Sequence, residues 1–353
     1  MAAWPSSRAY QLLYRTTAVD GSATTTVATV LLPSHPAAGP RRIVSDQIAE
    51  DSLTTNCAPS YQLRQNFPAA SIPDKQLIGA ALAHGYDVVV PDYEGPQSEL
   101  LVGPLEGRET LDGIRAAENY APDELDGNST KVAIEGYSGG SVPTIWAAAF
   151  AASYAPELQI AGVAAGGVAA DLATIVAHAD HSALFGGVML ALVSLARAYP
   201  QLKLSKILNA RGAQVAAVNG RDGDGCGGGV FGLAGGTVSE YTKFTTGQSL
   251  SDFPPLKAIL GALDAAKAAP APRARAFLYN TVHDQIVNIA AVDELYRSYC
   301  QRGTTVTYER SSTGDHISGI STFALMAPAY IAARFAGQAA PATCSSRPID
   351  PKE

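Results

Sequence analysis

The sequence predicts an α/β protein with a mostly parallel central sheet, helices on both faces of the sheet and an inserted helical cap. β-rich and helix-forming segments alternate along most of the chain, which is typical of parallel strands joined by crossover helices. The alternation stops between about 171 and 257, where apolar helical segments follow one another without a convincing parallel strand. We therefore predict a core formed by 1–170 and 258–353, and a cap formed by 171–257.

The N-terminal part predicts a hairpin at one edge of the sheet. Two β-rich segments flank Asp20-Gly21, a pair that favours tight antiparallel turns. The later run Tyr86–Val90 is short and almost wholly apolar, as in strands that are buried on both faces. The predicted strands are Tyr10–Thr17, Thr24–Leu32, Arg42–Ile48 and Tyr86–Val90, and the predicted helices are Lys75–His84 and Thr110–Tyr120.

The rest of the chain continues this alternation on both sides of the cap. The predicted strands are Lys131–Glu135, Ile160–Ala165, Ala274–Asn280 and Thr305–Arg310, and the core helices are Ile145–Tyr154, Ile289–Arg302 and Ile320–Phe335. Three apolar helices are predicted in the cap: Leu172–Ala179, Leu184–Ala198 and Leu204–Leu208. An additional pair of core helices is the alternative interpretation of this segment. The chain after Ala339 contains several prolines and is expected to be extended.

Composition excludes several classes of partner. The 353 residues are 47% hydrophobic and 16% charged, which is enough apolar sequence for a large core. The net charge is -7 and there is no basic run, which argues against nucleic acid and against a polybasic membrane anchor. Neutral substrates are favoured. The longest weakly polar run, Ala183–Ala196, is too short to span a bilayer, so we predict no transmembrane segment.

Cysteine usage favours an exported protein. Cys57, Cys226, Cys300 and Cys344 are widely spaced, and the chain has neither a C-x-x-C pair nor a histidine cluster that would predict a metal site. We predict two disulfides, with buried free thiols as the alternative, and the spacing alone leaves all three pairings open. Because Met1–Pro5 lacks a basic and apolar leader pattern, we expect any signal peptide to have been removed.

A glycine-rich turn after the strand Lys131–Glu135 is the strongest functional motif. The sequence Gly136-Tyr137-Ser138-Gly139-Gly140 leads from this strand into a long helix. A turn this sharp strains the serine backbone, and a Cβ atom at Gly136 or Gly140 would collide with neighbouring elements. The helix start directs N–H groups to the site where an oxyanion would form. A serine in a structural turn is the alternative, but the strand-turn-helix context predicts that Ser138 is a nucleophile.

A nucleophilic serine needs a base, and the base needs a carboxylate that orients it. Asp284 follows the strand Ala274–Asn280, and His316 follows the strand Thr305–Arg310. The carboxyl ends of strands are where open α/β sheets place their sites. The chain order Ser138, Asp284, His316 is that of α/β-hydrolases, so we predict these three residues as a catalytic triad.

Other residues are weaker candidates for the base and the acid. His283 precedes Asp284 and would break the usual order. Asp315 is adjacent to His316, so the two side chains point apart. The remaining histidines lie in a loop, at a helix end or in the cap: His35, His84, His178 and His181.

Four segments together resemble the secretory lipase family. They are AEDS followed by CAPSY within 49–61, GYSGG at 136–140, HDQIV at 283–287 and GDHIS at 314–318. The resemblance runs from the N-terminal hairpin to the last predicted helix. It implies an α/β-hydrolase fold with a helical cap, and the triad predicted above.

The resemblance also implies an oxyanion hole and a disulfide pairing. The oxyanion hole would use the backbone N–H groups of Asp51 and Gly139, in agreement with the absence of the HGGG motif that other esterases use. The disulfides would join Cys57 to Cys226 and Cys300 to Cys344. Only residues 317–353 follow His316, whereas the yeast lipase that typifies the family has a longer C-terminal part that forms a flap. We therefore expect no flap and no interfacial activation.

These observations predict a secreted, cofactor-free carboxylester hydrolase, either a lipase or a short-chain esterase, that acts through an acyl-enzyme. Its substrate would be a small ester, free in water or at a lipid-water interface. A peptidase or amidase with the same triad is one alternative, although nothing suggests a site for a charged peptide terminus. A ligand-binding module without activity is the other. The sequence leaves the oligomeric state open.

Overall fold

The computed structural model describes residues 7–65, 72–120, 127–219, 226 and 232–344. Its eight strands are β1 Ser7–Thr17, β2 Ala23–Pro33, β3 Arg42–Gln47, β4 Asp87–Pro91, β5 Lys131–Tyr137, β6 Gln159–Gly166, β7 Ala276–Thr281 and β8 Val306–Ser311. They form one sheet in the order β1-β2-β4-β3-β5-β6-β7-β8. β1 and β2 form an antiparallel hairpin, and β2 pairs antiparallel with β4. The strands from β4 to β8 are all parallel. The predicted edge hairpin and mostly parallel sheet are confirmed.

Helices cover both faces of this sheet. The longer helices are Ile72–Ala83, Gly103–Tyr120, Ser141–Tyr154, Leu172–Ala179, Phe185–Ala198, Ala210–Asn219, Pro254–Ala262, Ile289–Gln301 and His316–Phe335. Among the described residues, four helices have only four residues each: Pro59–Gln62, Leu204–Ile207, Val238–Tyr241 and Ala265–Ala268. One core cluster lies under Ile72–Ala83 and His316–Phe335, and a second lies under Gly103–Tyr120 and Ser141–Tyr154.

The helix Gly103–Tyr120 begins seven residues before the predicted start at Thr110. Glycines lower helix propensity, and Gly103 and Gly107 fall in this first part. Trp146 occupies the space beside both of them, because an added Cβ would lie 2.1 Å from its Nε1 at Gly103 and 2.7 Å from its backbone carbon at Gly107. Close packing between the two helices therefore overrides the local propensity.

The helix His316–Phe335, called here the final helix, also begins earlier than predicted. Asp315 caps it, because its carboxylate accepts a hydrogen bond from the Ser318 backbone N–H at 2.8 Å. The final helix is long and apolar enough to cross a membrane by length and composition alone. Phe323 and Ile331 are nevertheless buried against the sheet, as in the core helix of a folded domain.

The segment between β6 and β7 is helical. The helices Leu172–Ala179, Phe185–Ala198 and Leu204–Ile207 agree with the sequence prediction, whereas Ala210–Asn219 was missed. The described part of 171–257 contains no strand, only an isolated antiparallel bridge between Leu208 and Thr242. The helix Pro254–Ala262 continues through the predicted cap boundary at 257.

Two disulfides are present, with the pairing that the family resemblance implies. Cys57, in the segment after β3, is joined to Cys226, and Cys300, at the end of Ile289–Gln301, is joined to Cys344. The segment before Cys344 is extended beside β8, where the Thr343 backbone N–H donates to the Val306 carbonyl at 2.8 Å.

Candidate active site

Ser138 lies in the turn between β5 and the helix Ser141–Tyr154. Its φ is +54°, a left-handed conformation that is costly for a residue with a side chain. The flanking glycines permit this turn. A Cβ at Gly136 would lie 2.3 Å from the Gly140 carbonyl oxygen, and a Cβ at Gly140 would lie 1.8 Å from the Gln47 carbonyl oxygen. No other residue type would fit either position without moving the backbone.

Ser138, His316 and Asp284 form a continuous chain of hydrogen bonds. The Oγ of Ser138 lies 2.7 Å from Nε2 of His316, and Nδ1 of His316 lies 2.7 Å from Oδ2 of Asp284. The side chains of His316 and Asp284 are 3% and 0% exposed. The sheet brings the three residues together because each follows the carboxyl end of a different parallel strand.

Backbone and side-chain donors surround the carboxylate of Asp284. Its Oδ1 accepts from the backbone N–H groups of Ile286 at 2.8 Å and Val287 at 2.7 Å. Its Oδ2 accepts from the Asn280 amide at 3.3 Å, in addition to His316. These contacts compensate the buried negative charge and fix the direction in which the carboxylate faces the imidazole.

Two further side chains hold His316 through its backbone. The His316 N–H donates to Oε1 of Gln285 at 2.9 Å, and the Tyr137 hydroxyl donates to the His316 carbonyl at 2.7 Å. Burial raises the pKa of Tyr137, and the nearby charge of Asp284 adds to this effect, so the hydroxyl keeps its proton. Sequence reasoning missed the roles of Gln285 and Asn280, although each lies within four residues of Asp284 in the chain.

The rival candidates lie elsewhere. His283 is exposed at the surface. Asp315 is exposed and caps the final helix through Ser318, which holds the pKa of its carboxyl below the usual value. None of the other four histidines contacts Ser138 or Asp284 within the described residues.

Asp51 and Gly139 lie side by side at Ser138. An added Cβ on Gly139 would be only 2.4 Å from Oδ1 of Asp51. The φ of Asp51 is +44°, so this loop residue also has a strained backbone. Burial raises the pKa of its carboxyl, and the charge of His316 opposes that shift. The structure thus brings together the two residues whose backbone N–H groups were expected at an oxyanion hole.

An apolar cavity of about 120 Å³ opens onto Ser138. Ser138, Asp51, Gly139 and Gln285 contribute its polar wall. Most of the remaining wall is aliphatic and comes from the helices between β6 and β7 and from the segments after β4 and β7. It includes Leu100, Leu101, Leu172, Ile175, Val176, Leu184, Val188, Leu192, Leu195, Leu256, Leu260, Ile286 and Val287. Such a cavity suits a hydrocarbon chain.

Buried carboxyl groups also lie beneath this site. Asp46 on β3 is directly opposite Glu135 on β5, and burial raises the pKa of both. The pKa of Glu135 is raised to about 8, and burial raises that of the neighbouring Asp74 to about 7. Within the described residues, no group of three or more His, Cys, Asp and Glu side chains is arranged to hold a metal ion.

Solved structures of known proteins share this architecture. The chain superposes on the closed state of Candida antarctica lipase A with a TM-score of 0.88 and 30% identity, covering 96% of this chain and 80% of that one. It also matches the rice cell wall degrading esterase of Xanthomonas oryzae, with a TM-score of 0.70 and 20% identity over 93% of this chain and 90% of that one. The second likeness concerns the fold alone. Together these matches confirm the predicted α/β-hydrolase fold.

Sequence relatives lead to the same family. Lipase 10 of Candida albicans is 32% identical over 95% of this chain and 74% of its own length. A probable inactive lipase of Mycobacterium tuberculosis is 34% identical over 94% of this chain and 74% of its own length. The family model described as secretory lipase matches residues 65–342. The chain therefore belongs to the secretory lipase family.

Proposed function

We propose that this protein is a secreted serine carboxylester hydrolase that forms an acyl-enzyme on Ser138. One observation carries the proposal: the hydrogen-bonded series Ser138, His316 and Asp284 ends at the wall of an apolar cavity. A serine, a base within hydrogen-bond distance and a carboxylate that orients the base are the parts that nucleophilic acyl transfer requires.

In the first half of the reaction, Oγ of Ser138 attacks the ester carbonyl carbon while Nε2 of His316 takes the hydroxyl proton. The carbonyl electron pair moves to its oxygen, and a tetrahedral oxyanion forms. When the carbon-oxygen bond to the alcohol breaks, His316 returns the proton to the leaving alcohol. Asp284 keeps Nδ1 of His316 protonated and stabilises the imidazolium that forms in between.

Hydrolysis of the acyl-enzyme repeats these steps with water. His316 takes a proton from the attacking water, a second oxyanion forms, and its collapse breaks the bond to Oγ. The proton returns to Ser138 and the carboxylic acid leaves. No cofactor takes part in this scheme.

The backbone N–H groups of Asp51 and Gly139 are the proposed oxyanion donors. The adjacency of the two residues beside Ser138 supports this role. Fixed donors at a developing negative charge are worth about 10²- to 10³-fold in rate for each donor, so the geometry of the strained Asp51 loop matters for turnover.

The substrate class is an ester with an apolar acyl part. We propose that 171–257 forms a cap over the core, 1–170 and 258–353, and that the cap helices receive the acyl chain. Leu172, Leu184 and Val188 in the cavity wall support this assignment. The two disulfides and the family support secretion, because disulfides persist in oxidising compartments.

The relative described as a probable inactive lipase makes a ligand-binding module the second candidate. A series of nitrophenyl esters from acetate to palmitate, with one emulsified triglyceride, distinguishes the two. We expect a Ser138-dependent burst of nitrophenol followed by steady turnover, with kcat/KM rising from acetate to medium chains. Binding of the esters without release of nitrophenol would support the binding module and reject the hydrolase.

A further inference from the structure

The helix Phe185–Ala198 has polar contacts as well as an apolar face. Its residues Val188, Leu192 and Leu195 line the cavity at Ser138. Ser194 and Arg197 on the same helix instead reach backbone carbonyl groups of two loops that follow the strands β3 and β4.

Arg197 makes its hydrogen bonds to these loops with a single nitrogen. Its Nη1 donates to the carbonyl oxygens of Leu53 at 2.9 Å, Gln97 at 2.6 Å and Ser98 at 3.3 Å. One turn earlier, the buried hydroxyl of Ser194 donates to the Leu100 carbonyl at 2.7 Å. Leu53, Leu100, Leu190 and Val193 pack in one small apolar cluster around these bonds.

Leu53 lies only two residues after Asp51, the strained residue of the proposed oxyanion hole. On the other side of Asp51, the hydroxyl of the buried Tyr93 donates to the Ile48 carbonyl at 2.7 Å and accepts from the Glu50 N–H at 3.3 Å. Arg197 and Tyr93 therefore hold the loop on both sides of Asp51. A left-handed backbone at a residue other than glycine is unfavourable and persists only where its surroundings enforce it.

We propose that Arg197 is a positioning residue for the Asp51 backbone N–H, and that it joins the helix that receives the acyl chain to the loop that stabilises the oxyanion. The inference rests on the proposed function, because it assigns Arg197 a part in that reaction without contact to the substrate. It follows that loss of Arg197 lowers the stabilisation of the tetrahedral intermediate more than the binding of the acyl chain.

Arg197→Met removes the three hydrogen bonds and keeps an apolar stem of similar length. A fixed oxyanion donor is worth about 10²- to 10³-fold, and displacing one is expected to cost less, so we expect kcat to fall about 10- to 100-fold with KM changed less than threefold. The kcat of Arg197→Lys should lie between that of Arg197→Met and that of wild type. An ammonium group has three N–H donors and can replace some of these bonds, but the lysine stem is one bond shorter.

Arg108→Met is the matched control. Arg108 is also half-buried and also donates to backbone carbonyl groups, those of Thr17 at 3.3 Å and Ala18 at 3.1 Å, but these lie at the end of β1 and in the turn of the β1–β2 hairpin. Its loss is expected to lower the melting temperature and leave kcat within about twofold of wild type, since it holds no part of the proposed site.

A matched pair of inhibitors separates positioning from general damage to the cavity. An alkyl trifluoromethyl ketone adds to Ser138 and places an oxyanion in the site, whereas the methyl ketone of the same chain length only fills the cavity. Arg197→Met should weaken binding of the trifluoromethyl ketone by the same factor by which it lowers kcat. It should leave the affinity for the methyl ketone within about twofold of wild type. All assays are run well below the melting temperature of each variant, and Arg197→Lys replaces Arg197→Met if the latter does not fold.

Two results would overturn the positioning role while wild type still turns over esters through Ser138. One is that Arg197→Met weakens binding of both ketones equally, and the other is that Arg108→Met loses as much kcat as Arg197→Met. A wild-type protein that neither hydrolyses esters nor binds the trifluoromethyl ketone more tightly than the methyl ketone would instead reject the proposed function, and the role of Arg197 with it.

Discussion

Carboxyl groups are buried at two places near the carboxyl ends of the parallel strands, and their surroundings differ. After β7, Asp284 is surrounded by the Ile286 and Val287 N–H groups, the Asn280 amide and His316. On β3 and β5, Asp46 and Glu135 lie opposite each other, and both oxygens of Asp46 lack a hydrogen-bond partner among the described residues. The two sites thus differ in how they tolerate burial: donors compensate a negative charge at Asp284, whereas raised pKa values favour the neutral, protonated forms of Asp46 and Glu135.

The largest expected effect comes from the atom that would form the covalent bond. Ser138→Ala should lower ester turnover by about 10⁴-fold or more, because the hydroxyl supplies the nucleophile. Turnover of nitrophenyl butyrate measures this loss, and an unchanged circular dichroism spectrum shows that the fold is retained. A variant that keeps a tenth of the wild-type rate would reject Ser138 as the nucleophile.

Asp284→Asn tests the compensated carboxylate. The amide has nearly the same shape but no negative charge, and its NH₂ group would face N–H donors of the chain. We expect kcat to fall by up to about 10⁴-fold, since His316 would lose the partner that fixes its tautomer and stabilises its positive form. The same change at the exposed Asp315 should leave kcat within about twofold, and a comparable loss there would contradict the assignment.

The dependence of stability on pH tests the raised pKa values of the buried carboxyl groups Asp46 and Glu135. Burial raises the pKa of Glu135 to about 8 and that of Asp74 to about 7, and it raises the pKa of Asp46 as well, with Glu135 next in importance. The folded state therefore holds protons that the unfolded state has lost above about pH 4. Stability from these groups is fully present below that pH and is lost as the pH rises through about 7 to 8.

Each such group contributes a slope of up to about 1.4 kcal/mol per pH unit to the free energy of unfolding. Urea titrations between pH 5 and 8.5 should show a steady loss of stability. Glu135→Gln, which keeps the shape and removes the titration, should make this loss smaller. Glu309→Gln, at an exposed position on β8, is the control and should leave it unchanged. An unchanged slope in Glu135→Gln would show that the pair does not retain its proton.

The sequence allowed most of the sheet and the reactive residues to be predicted, because these depend on local patterns. Apolar runs and turn residues located all eight strands, and strand ends with Ser138, Asp284 and His316 indicated the candidate site. Contacts distant in the chain were not predictable. Trp146 packs against Gly103 in the first turn of its helix, and Arg197 donates a hydrogen bond to the Leu53 carbonyl. Asp46 lies opposite Glu135 because β3 pairs with β5. Each depends on the order of strands or on packing between helices.

Covalent labelling with a fluorophosphonate tests the central claim most directly, because it needs an activated serine but no knowledge of the substrate. The folded protein should take up one label per chain within minutes, and peptide mapping should place it on Ser138. Labelling should disappear in Ser138→Ala and become much slower in Asp284→Asn. A folded wild-type protein that remains unlabelled, or that carries the label on another residue, would contradict the proposal that Ser138, His316 and Asp284 act together in acyl transfer.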